Sequence, residues 1–424
     1  MRSLFCFTRN LRLSDFPLLS QACEESDEIL FVVSWRDLVR RTGHFRQQFL
    51  IESLVDLNLQ LKAFSQKLYI TNITLPEFIL NEVNNNIQKV YIEEDVNFEE
   101  QIQFQAIQKM ARSSAIHLIS TKDSTLTEFE ATFKLFENRN MIFTDFRKKV
   151  EKKLTLRVLK NKIEKIPKYF EPVQKEFFLD LKELQSRNSP HWTCFQGGEN
   201  QGLKHLNEYF SHPENALNYK NTRNGMVRFA DSTKFSPWLS LGCISPQKIY
   251  ETLKDFEKVH GENESTYWIF FELLWRDYFK YYSFLNKNKI FTRSGIQNKA
   301  KNNLPKNIEF KLLKQWKTGT TGIDFIDANM IELSQTGWMS NRGRQNVASF
   351  LVHQLKVDWR LGAAYFEEML IDYDCASNWG NWSYLAGVGT DRRDRIFNVE
   401  KQAQDYDPKK EYVKKWLRQS SGPI

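Results

Sequence analysis

What the chain lacks narrows it first. Its five cysteines (Cys6, Cys23, Cys194, Cys243, Cys375) are scattered with no Cys-x-x-Cys pair, and its seven histidines include no His-Glu-x-x-His spacing. Disulfides and structural zinc are therefore disfavoured. No apolar run approaches the roughly 20 residues that a membrane helix needs. Met1–Asn10 alternates polar and apolar residues instead of placing a charged stretch before an apolar one. A cytoplasmic protein with no membrane partner is expected. The first strand candidate is not followed by Gly-x-Gly-x-x-Gly; Thr8-Arg-Asn-Leu-Arg12 stands there, which disfavours an ordinary dinucleotide site. Internal repeats and low-complexity tracts are also missing, which removes solenoids and fibrous folds.

What is present is enough for two cores: 424 residues, 41% of them hydrophobic, exceed what one ordinary core uses. Three stretches differ in character, 1–130, 131–190 and 191–424. Residues 1–130 carry 13 Lys+Arg against 18 Asp+Glu, residues 131–190 carry 15 against 8, and residues 191–424 carry 32 against 26. The excess positive charge thus lies after residue 130, which suits a polyanionic partner. A solvated basic linker around Arg147–Lys168 reads the same charge equally well.

Strand candidates Leu4–Phe7, Ile29–Val33, Leu68–Ile70, Val90–Ile92 and Ile116–Ile119 alternate with helical stretches from Asp15 (as N-cap), across Phe45–Phe64, from Pro76 and from Phe98. That alternation predicts a doubly wound α/β domain built on a parallel sheet. Residues 131–190 read as a long Lys-rich linker with Pro167 and Pro172. Ten of the eleven tryptophans lie in 191–424, where strand-like alternation fades. Tyr267–Tyr282, Ile323–Leu333, Arg344–Trp359 and Ala363–Leu370 have helical recurrence, so the second domain is expected to be all-α.

Four clusters in that half concentrate polar, aromatic and small residues. They are Tyr219–Gly225 with Ser232–Trp238, Phe271–Asp277, Gly337–Asn346 and Asp372–Tyr384. Taken singly, each reads as structure: Ser232-Thr233 and Ser340-Asn341 as helix N-caps, Glu272 with Arg276 as an i,i+4 pair, the Trp-rich end as core.

Together they resemble the cryptochrome/photolyase family, and specifically its DASH-type cryptochromes. The resemblance runs from Arg9-Asn-Leu-Arg-Leu-Ser-Asp15 through Arg46-x-x-Phe-Leu-x-Glu-Ser53, Phe143-Thr-Asp-Phe-Arg-Lys-Lys-Val-Glu151 and Phe195-x-Gly-Gly-Glu199 to Tyr384-Leu-Ala-Gly-Val-Gly-Thr-Asp391. Thr222–Met226 and Ser340–Asn346 are its most subgroup-specific parts.

The resemblance implies that the helical domain binds FAD in a bent form. Tyr219 with Ser232, Thr233, Lys234, Phe235 and Ser236 would hold phosphates and ribityl chain, with a helix start facing the pyrophosphate. Arg344 would pair with Asp372 at the ring edge, Asp374 would accept a ring or ribityl hydrogen bond, and Asn378 would face N5, since an amide both donates and accepts.

On the substrate side the resemblance implies Glu272, Trp275, Asn341, Gln345 and Tyr384. Trp275 and Tyr384 would form flat walls for an extruded base, and Glu272 and Asn341 would read its edge. Relatives that act on duplexes usually carry Trp at the Tyr384 position and Met at the Gln345 position. The more polar pair here points to single-stranded, dimer-containing DNA as the partner.

The reaction implied is blue-light-driven splitting of cyclobutane pyrimidine dimers by electron transfer from reduced FAD. Relatives that handle the (6-4) photoproduct have His-His where Ser340-Asn341 stands, so that activity is not expected. Trp382 and Trp359 match the first two members of the family's photoreduction chain, whereas the third position is Lys306, which carries no hole; either another aromatic such as Trp316 or Tyr373 ends the path, or photoreduction is inefficient. For Trp359 a core role on an amphipathic helix is an equal reading.

A folate antenna (5,10-methenyltetrahydrofolate) is a looser implication, resting on Glu94-Asp-Val-Asn-Phe-Glu-Glu100; a solvated acidic helix start is the other reading. A monomer is expected. A blue-light signalling receptor is the alternative function. That reading usually comes with a C-terminal extension, whereas this chain ends at Ile424, after a last helix around Tyr412–Leu417. A nucleic-acid-binding module with a vestigial flavin would show a damaged flavin pocket.

Overall fold

The computed structural model describes residues 1–136, 139–153, 156, 163–173, 175–186, 194–299, 304–391 and 393–419. Residues 157–162 of the basic stretch and the end at Ile424 lie outside them. Two compact units result, and they do not follow chain order. Met1–Phe133, Lys153–Asn207 and Phe235–Lys254 form the first; Lys134–Lys152, Glu208–Lys234 and Asp255–Ile424 form the second. The 131–190 stretch is thus divided between the two units. Phe143, Phe146 and Val150 are buried because their spacing gives the helix Phe143–Lys152 an apolar face, and Phe136, from the turn before it, packs on Phe146.

All five strand candidates form: β1 Arg2–Phe7, β2 Glu28–Ser34, β3 Leu68–Thr71, β4 Ile87–Glu93 and β5 His117–Thr121. They make one sheet in the order β3-β2-β1-β4-β5, parallel throughout. The inner strands are near-continuous apolar runs because helices cover both faces. The helix expected from Asp15 begins instead at Pro17, with Phe16 at the cap and no side-chain cap bond. Asp15 is spent elsewhere, with φ 46° and its carboxylate on Arg12 Nε at 2.7 Å.

The loop after β1 explains how the fold dispenses with a glycine-rich turn. The N–H groups of Leu13 and Ser14, which a phosphate would seek, donate to Glu199 at 2.7 and 2.9 Å. Arg12 Nη1 donates to the Gly242 carbonyl at 3.1 Å. Gly242, at φ +63°, is required there, because a Cβ would lie 2.2 Å from the Arg9 carbonyl.

The second unit is helical. Its longest helix, Glu264–Asn286, is capped by Asn263, whose Oδ1 accepts from Ser265 and Thr266. Ser340 caps Asn341–Ser349 as expected, accepting from Gly343 N at 3.0 Å. The single helix expected over Arg344–Trp359 is broken: a π turn at Phe350–Gln354 and Lys356 at φ 58° end it. Trp359 opens a new helix, Trp359–Met369, capped by Asp358. Among the described residues, no helix is long and apolar enough to cross a membrane.

Candidate functional site

The helix Cys375–Leu385 organises the site. Asp374 caps it, accepting from Ser377 N at 2.8 Å. Burial pushes the Asp374 carboxyl up, yet the charges of Lys280 and Arg276 and the Ser377 bonds prevail and hold it well below the usual carboxylate range. Lys280 Nζ stands 3.5 Å away, and the two side chains keep 2% and 9% of their surface. An ion pair this dry is maintained only by mutual compensation.

One turn on, Asn378 is buried and its Nδ2 donates to the Ala363 carbonyl at 3.0 Å, which fixes the amide's orientation. Trp382, one turn further, is packed by Phe366 and Trp316 at 5.1 and 6.2 Å between ring centres. Gly362 allows this packing: a Cβ there would lie 2.3 Å from the Trp382 ring.

Facing this helix, Arg344 donates to the Met339 carbonyl and to Asp372 Oδ2, both at 2.9 Å. Between them lies a cleft with a cavity volume of about 100 Å³. It is lined on its apolar side by Ala348, Phe366, Leu370, Trp382 and Leu385, and on its polar side by Asn341, Arg344, Gln345, Asp372, Asp374 and Asn378. Small-molecule sites typically combine an apolar lining with a few placed polar groups, as this one does. A flat heteroaromatic ring with donors and acceptors on its edge, such as the isoalloxazine of FAD, matches this lining: apolar faces on one side, an ion pair and amides on the other.

Eight of the residues singled out by sequence, Tyr373 included, therefore converge on one cavity. Others lie apart from it. Glu272 and Trp275 share a face of Glu264–Asn286, and Trp275 meets Tyr384 edge-on at 6.2 Å. One face of Trp275 is already stacked by Phe143, at 3.7 Å and 11°. The arrangement thus has an aromatic wall with a built-in backing. Glu272 pairs with Arg223, not with Arg276 as the i,i+4 reading had it. Burial pushes its carboxyl up while Arg223 pulls it down.

Tyr219 is buried and bonded to Thr233, its phenol raised by burial and by the Glu272 charge. Ser232 accepts from Lys234 Nζ at 3.0 Å and caps no helix; the next one, Ser236–Ser240, is capped by Phe235 without a side-chain bond. Phe235 and Ser236 pack in the first unit, Phe235 against His205.

Trp359 contacts Trp379 and donates to the Arg293 carbonyl at 3.0 Å. Trp379 donates to Glu367 and Tyr373, so these indoles are satisfied core groups too. Lys306 is an exposed first residue of the helix Lys306–Lys317. In the first unit Glu100 pairs with Arg9 at 3.1 Å and Glu94 with Lys122 at 3.4 Å, so the acidic segment after β4 is tied to protein cations.

Sequence reasoning gave no role to Lys280, Arg223 and Phe143; Trp316, which it named as an end of the photoreduction path, is set against Trp382 at 6.2 Å. The signal for Lys280 was a lysine inside the aromatic run Tyr278–Tyr282, where a charge needs a partner. Arg223 and Phe143 both sat within quoted motifs, but their partners Glu272 and Trp275 come from long-range packing.

The comparisons agree with this layout. Residues 3–177 match the family model for DNA photolyase, and residues 268–422 match the FAD binding domain of DNA photolyase. Cryptochrome DASH of Synechocystis sp. is 39% identical over 98% of this chain and 87% of its own length. Cryptochrome DASH of Xenopus laevis is 39% identical over 98% of this chain and 82% of its own. The crystal structure of the Synechocystis cryptochrome superposes with a TM-score of 0.91 at 38% identity, covering 99% of this chain and 89% of that one. With an FAD-binding helical unit, a five-stranded parallel α/β unit and relatives matched over nearly their whole length, the chain belongs to the cryptochrome/photolyase family, among its DASH-type cryptochromes.

Proposed function

We propose that this protein uses blue light to split cyclobutane pyrimidine dimers, acting best on single-stranded DNA. The observation that carries the reading is the cavity in which Arg344, Asp372, Asp374, Asn378 and Trp382 converge, with Glu272, Trp275 and Tyr384 in the same helical unit. A flavin bound there supplies the light absorption and the electron. Everything else is the work of side chains.

The Arg344–Asp372 pair receives the polar edge of the ring, and Asn378, fixed by Ala363, holds a hydrogen bond at N5. Ala348, Leu370 and Leu385 keep water from its faces, while Tyr219, Ser232, Thr233 and Lys234 bind the phosphate end. Trp275, backed by Phe143, and Tyr384, set edge-on to it, form two angled walls against which the extruded bases stack, each stacked base being worth about 1–3 kcal/mol. Glu272, Asn341 and Gln345 read the pyrimidine edges and hold the dimer in place, so that position and a sheltered site are what the protein contributes.

Tyr384 and Gln345 make the pocket more polar than a Trp/Met pair would. Less stacking energy is then available against the few kcal/mol needed to extract a paired base. An unpaired strand does not carry that cost.

The test is dimer loss under blue light from single-stranded and duplex oligonucleotides carrying one thymine dimer, with wild type and Glu272→Ala compared at equal flavin content. Faster single-strand repair, reduced about a hundredfold in the variant as expected when a group that positions the dimer is lost, supports the reading. Light-independent binding without dimer loss would favour a signalling receptor instead.

A further inference from the structure

The pairing of Glu272 with Arg223 raises a problem of complementarity. An ionised carboxylate only accepts hydrogen bonds, yet the edge of a pyrimidine dimer offers carbonyl acceptors beside its N–H groups. Glu272, held by a guanidinium, is the wrong partner for those carbonyls.

The surroundings supply a way out. Arg223 lies over the Trp268 ring at 5.5 Å and keeps 22% of its side-chain surface, Glu272 32%, so both are reachable from solvent. Arg342 is close enough to Arg223 that, after burial, the neighbouring charge lowers its pKa further. It donates to Asn224 Oδ1 at 3.1 Å, lies over the Tyr406 ring at 4.4 Å, and leaves its Nε buried with no hydrogen-bond partner. Arg342 has no ion pair among the described residues. Two guanidiniums whose charges act on one another, one held by a carboxylate and one with no ion pair among the described residues, are complementary to a phosphate.

Resting on the repair reading above, we propose that Arg223 and Glu272 form a proton-coupled latch. A backbone phosphate of the bound strand takes the Arg223 guanidinium, with Arg342 as its second donor. Glu272, released, takes one proton from solvent and becomes a hydrogen-bond donor to the pyrimidine carbonyl. One ion pair breaks, another forms, and a single proton moves from buffer to a carboxyl oxygen; no electron is involved.

The charged neighbours are consistent with this direction. Burial already disfavours the Glu272 anion and Arg223 is the charge that opposes it. From the Tyr219–Thr222 turn, Tyr219 faces Glu272 with its phenol neutral. The remaining groups near the helix Glu264–Asn286 are engaged elsewhere: Lys220 with Glu264, Arg147 with Tyr267 and Glu151, Arg276 with Asp277 and Asp374. On Cys375–Leu385, Tyr384 takes Arg395 over its ring.

The experiment is calorimetric titration in the dark of flavin-loaded protein with a single-stranded oligonucleotide carrying one thymine dimer, in neutral buffers of different ionisation enthalpy. Wild type should take up close to one proton per strand bound, and its affinity should fall as pH rises. Glu272→Gln should bind with almost no uptake and a flat pH profile. Arg223→Gln, which removes the charge that opposes protonation of Glu272 before binding, should show a reduced uptake.

Binding by wild type without proton exchange, or equal uptake in Glu272→Gln, overturns the latch. If such protein still repairs dimers under light, the latch alone falls. If uptake is seen but light removes no dimer, the latch stands as a binding device and the repair reading falls. Absence of binding refutes both.

Discussion

Replacing Lys280 with methionine tests the electrostatic support of the site. Lys280 Nζ is 3.5 Å from Asp374 Oδ2, and both side chains are almost fully buried. Removing one partner of a buried pair costs about 3–5 kcal/mol, because the other charge stays behind. Arg276 also acts on Asp374, and the cap bond from Ser377 survives, which sets the expectation at the lower end, about 3 kcal/mol.

Asp374→Asn keeps the cap, since Asn and Asp are comparable there, but strands the lysine instead. The double variant should lose less than the sum of the singles by about 1–3 kcal/mol. Urea unfolding followed by tryptophan fluorescence is the assay, since ten of the eleven tryptophans lie in 191–424. The Lys280→Met midpoint should fall by about 1 M at a urea dependence of about 3 kcal/mol/M.

The acid side gives an independent check. The folded pKa of Asp374 is depressed, so its contribution is present above the unfolded value of about 3.9 and is lost as pH falls below it. In Lys280→Met the depression shrinks, and less stability remains to be lost below about pH 4. An unchanged midpoint with an unchanged acid profile would refute the argument.

Three further outcomes follow from the same geometry. Tyr384→Trp enlarges the aromatic wall beside Trp275 and should raise affinity for dimer-containing duplex by about tenfold, measured by fluorescence anisotropy; equal duplex binding would count against the wall. Trp316 touches both Trp382 and, at 5.7 Å, Tyr365. Trp316→Phe should therefore slow light-driven bleaching of oxidised flavin in the presence of a thiol reductant, and an unchanged rate would exclude Trp316 from the path. Gly362→Ala sets a methyl 2.3 Å from Trp382 and 2.5 Å from Leu351, an overpacking that should cost about 1–3 kcal/mol and lower the thermal midpoint; no shift would mean that the indole moves freely.

The sheet was legible because its signals are local. Five short apolar runs at regular intervals, each separated by a helical stretch, admit few arrangements, and all five strands formed. Helix boundaries were less legible where the deciding bond is distant. Asp15 looked like an N-cap until Arg12, fixed to the Gly242 carbonyl, took its carboxylate.

The cavity residues were found because a family resemblance gathers positions far apart in sequence. Periodicity alone would have left Asp372 and Asp374 as a polar turn. The partners that tune those residues stayed hidden for the same reason. Arg223 meets Glu272 across 49 positions, and Phe143 reaches Trp275 from a segment that read as linker. The break at Lys356 was invisible because a left-handed lysine carries no sequence mark. It separates Trp359 from the helix that carries Arg344.

The central claim is that the flavin ring occupies the cavity walled by Asn341–Ala348, Phe366–Leu370 and Asp372–Leu385. Ser377 lines that cavity and is only partly buried, so Ser377→Trp fills the space without crowding the core. Wild type, denatured in the dark, should release one FAD per chain into the supernatant. Ser377→Trp, with an unchanged circular dichroism spectrum, should release almost none. Equal FAD from both proteins, or a colourless wild type, would contradict the account.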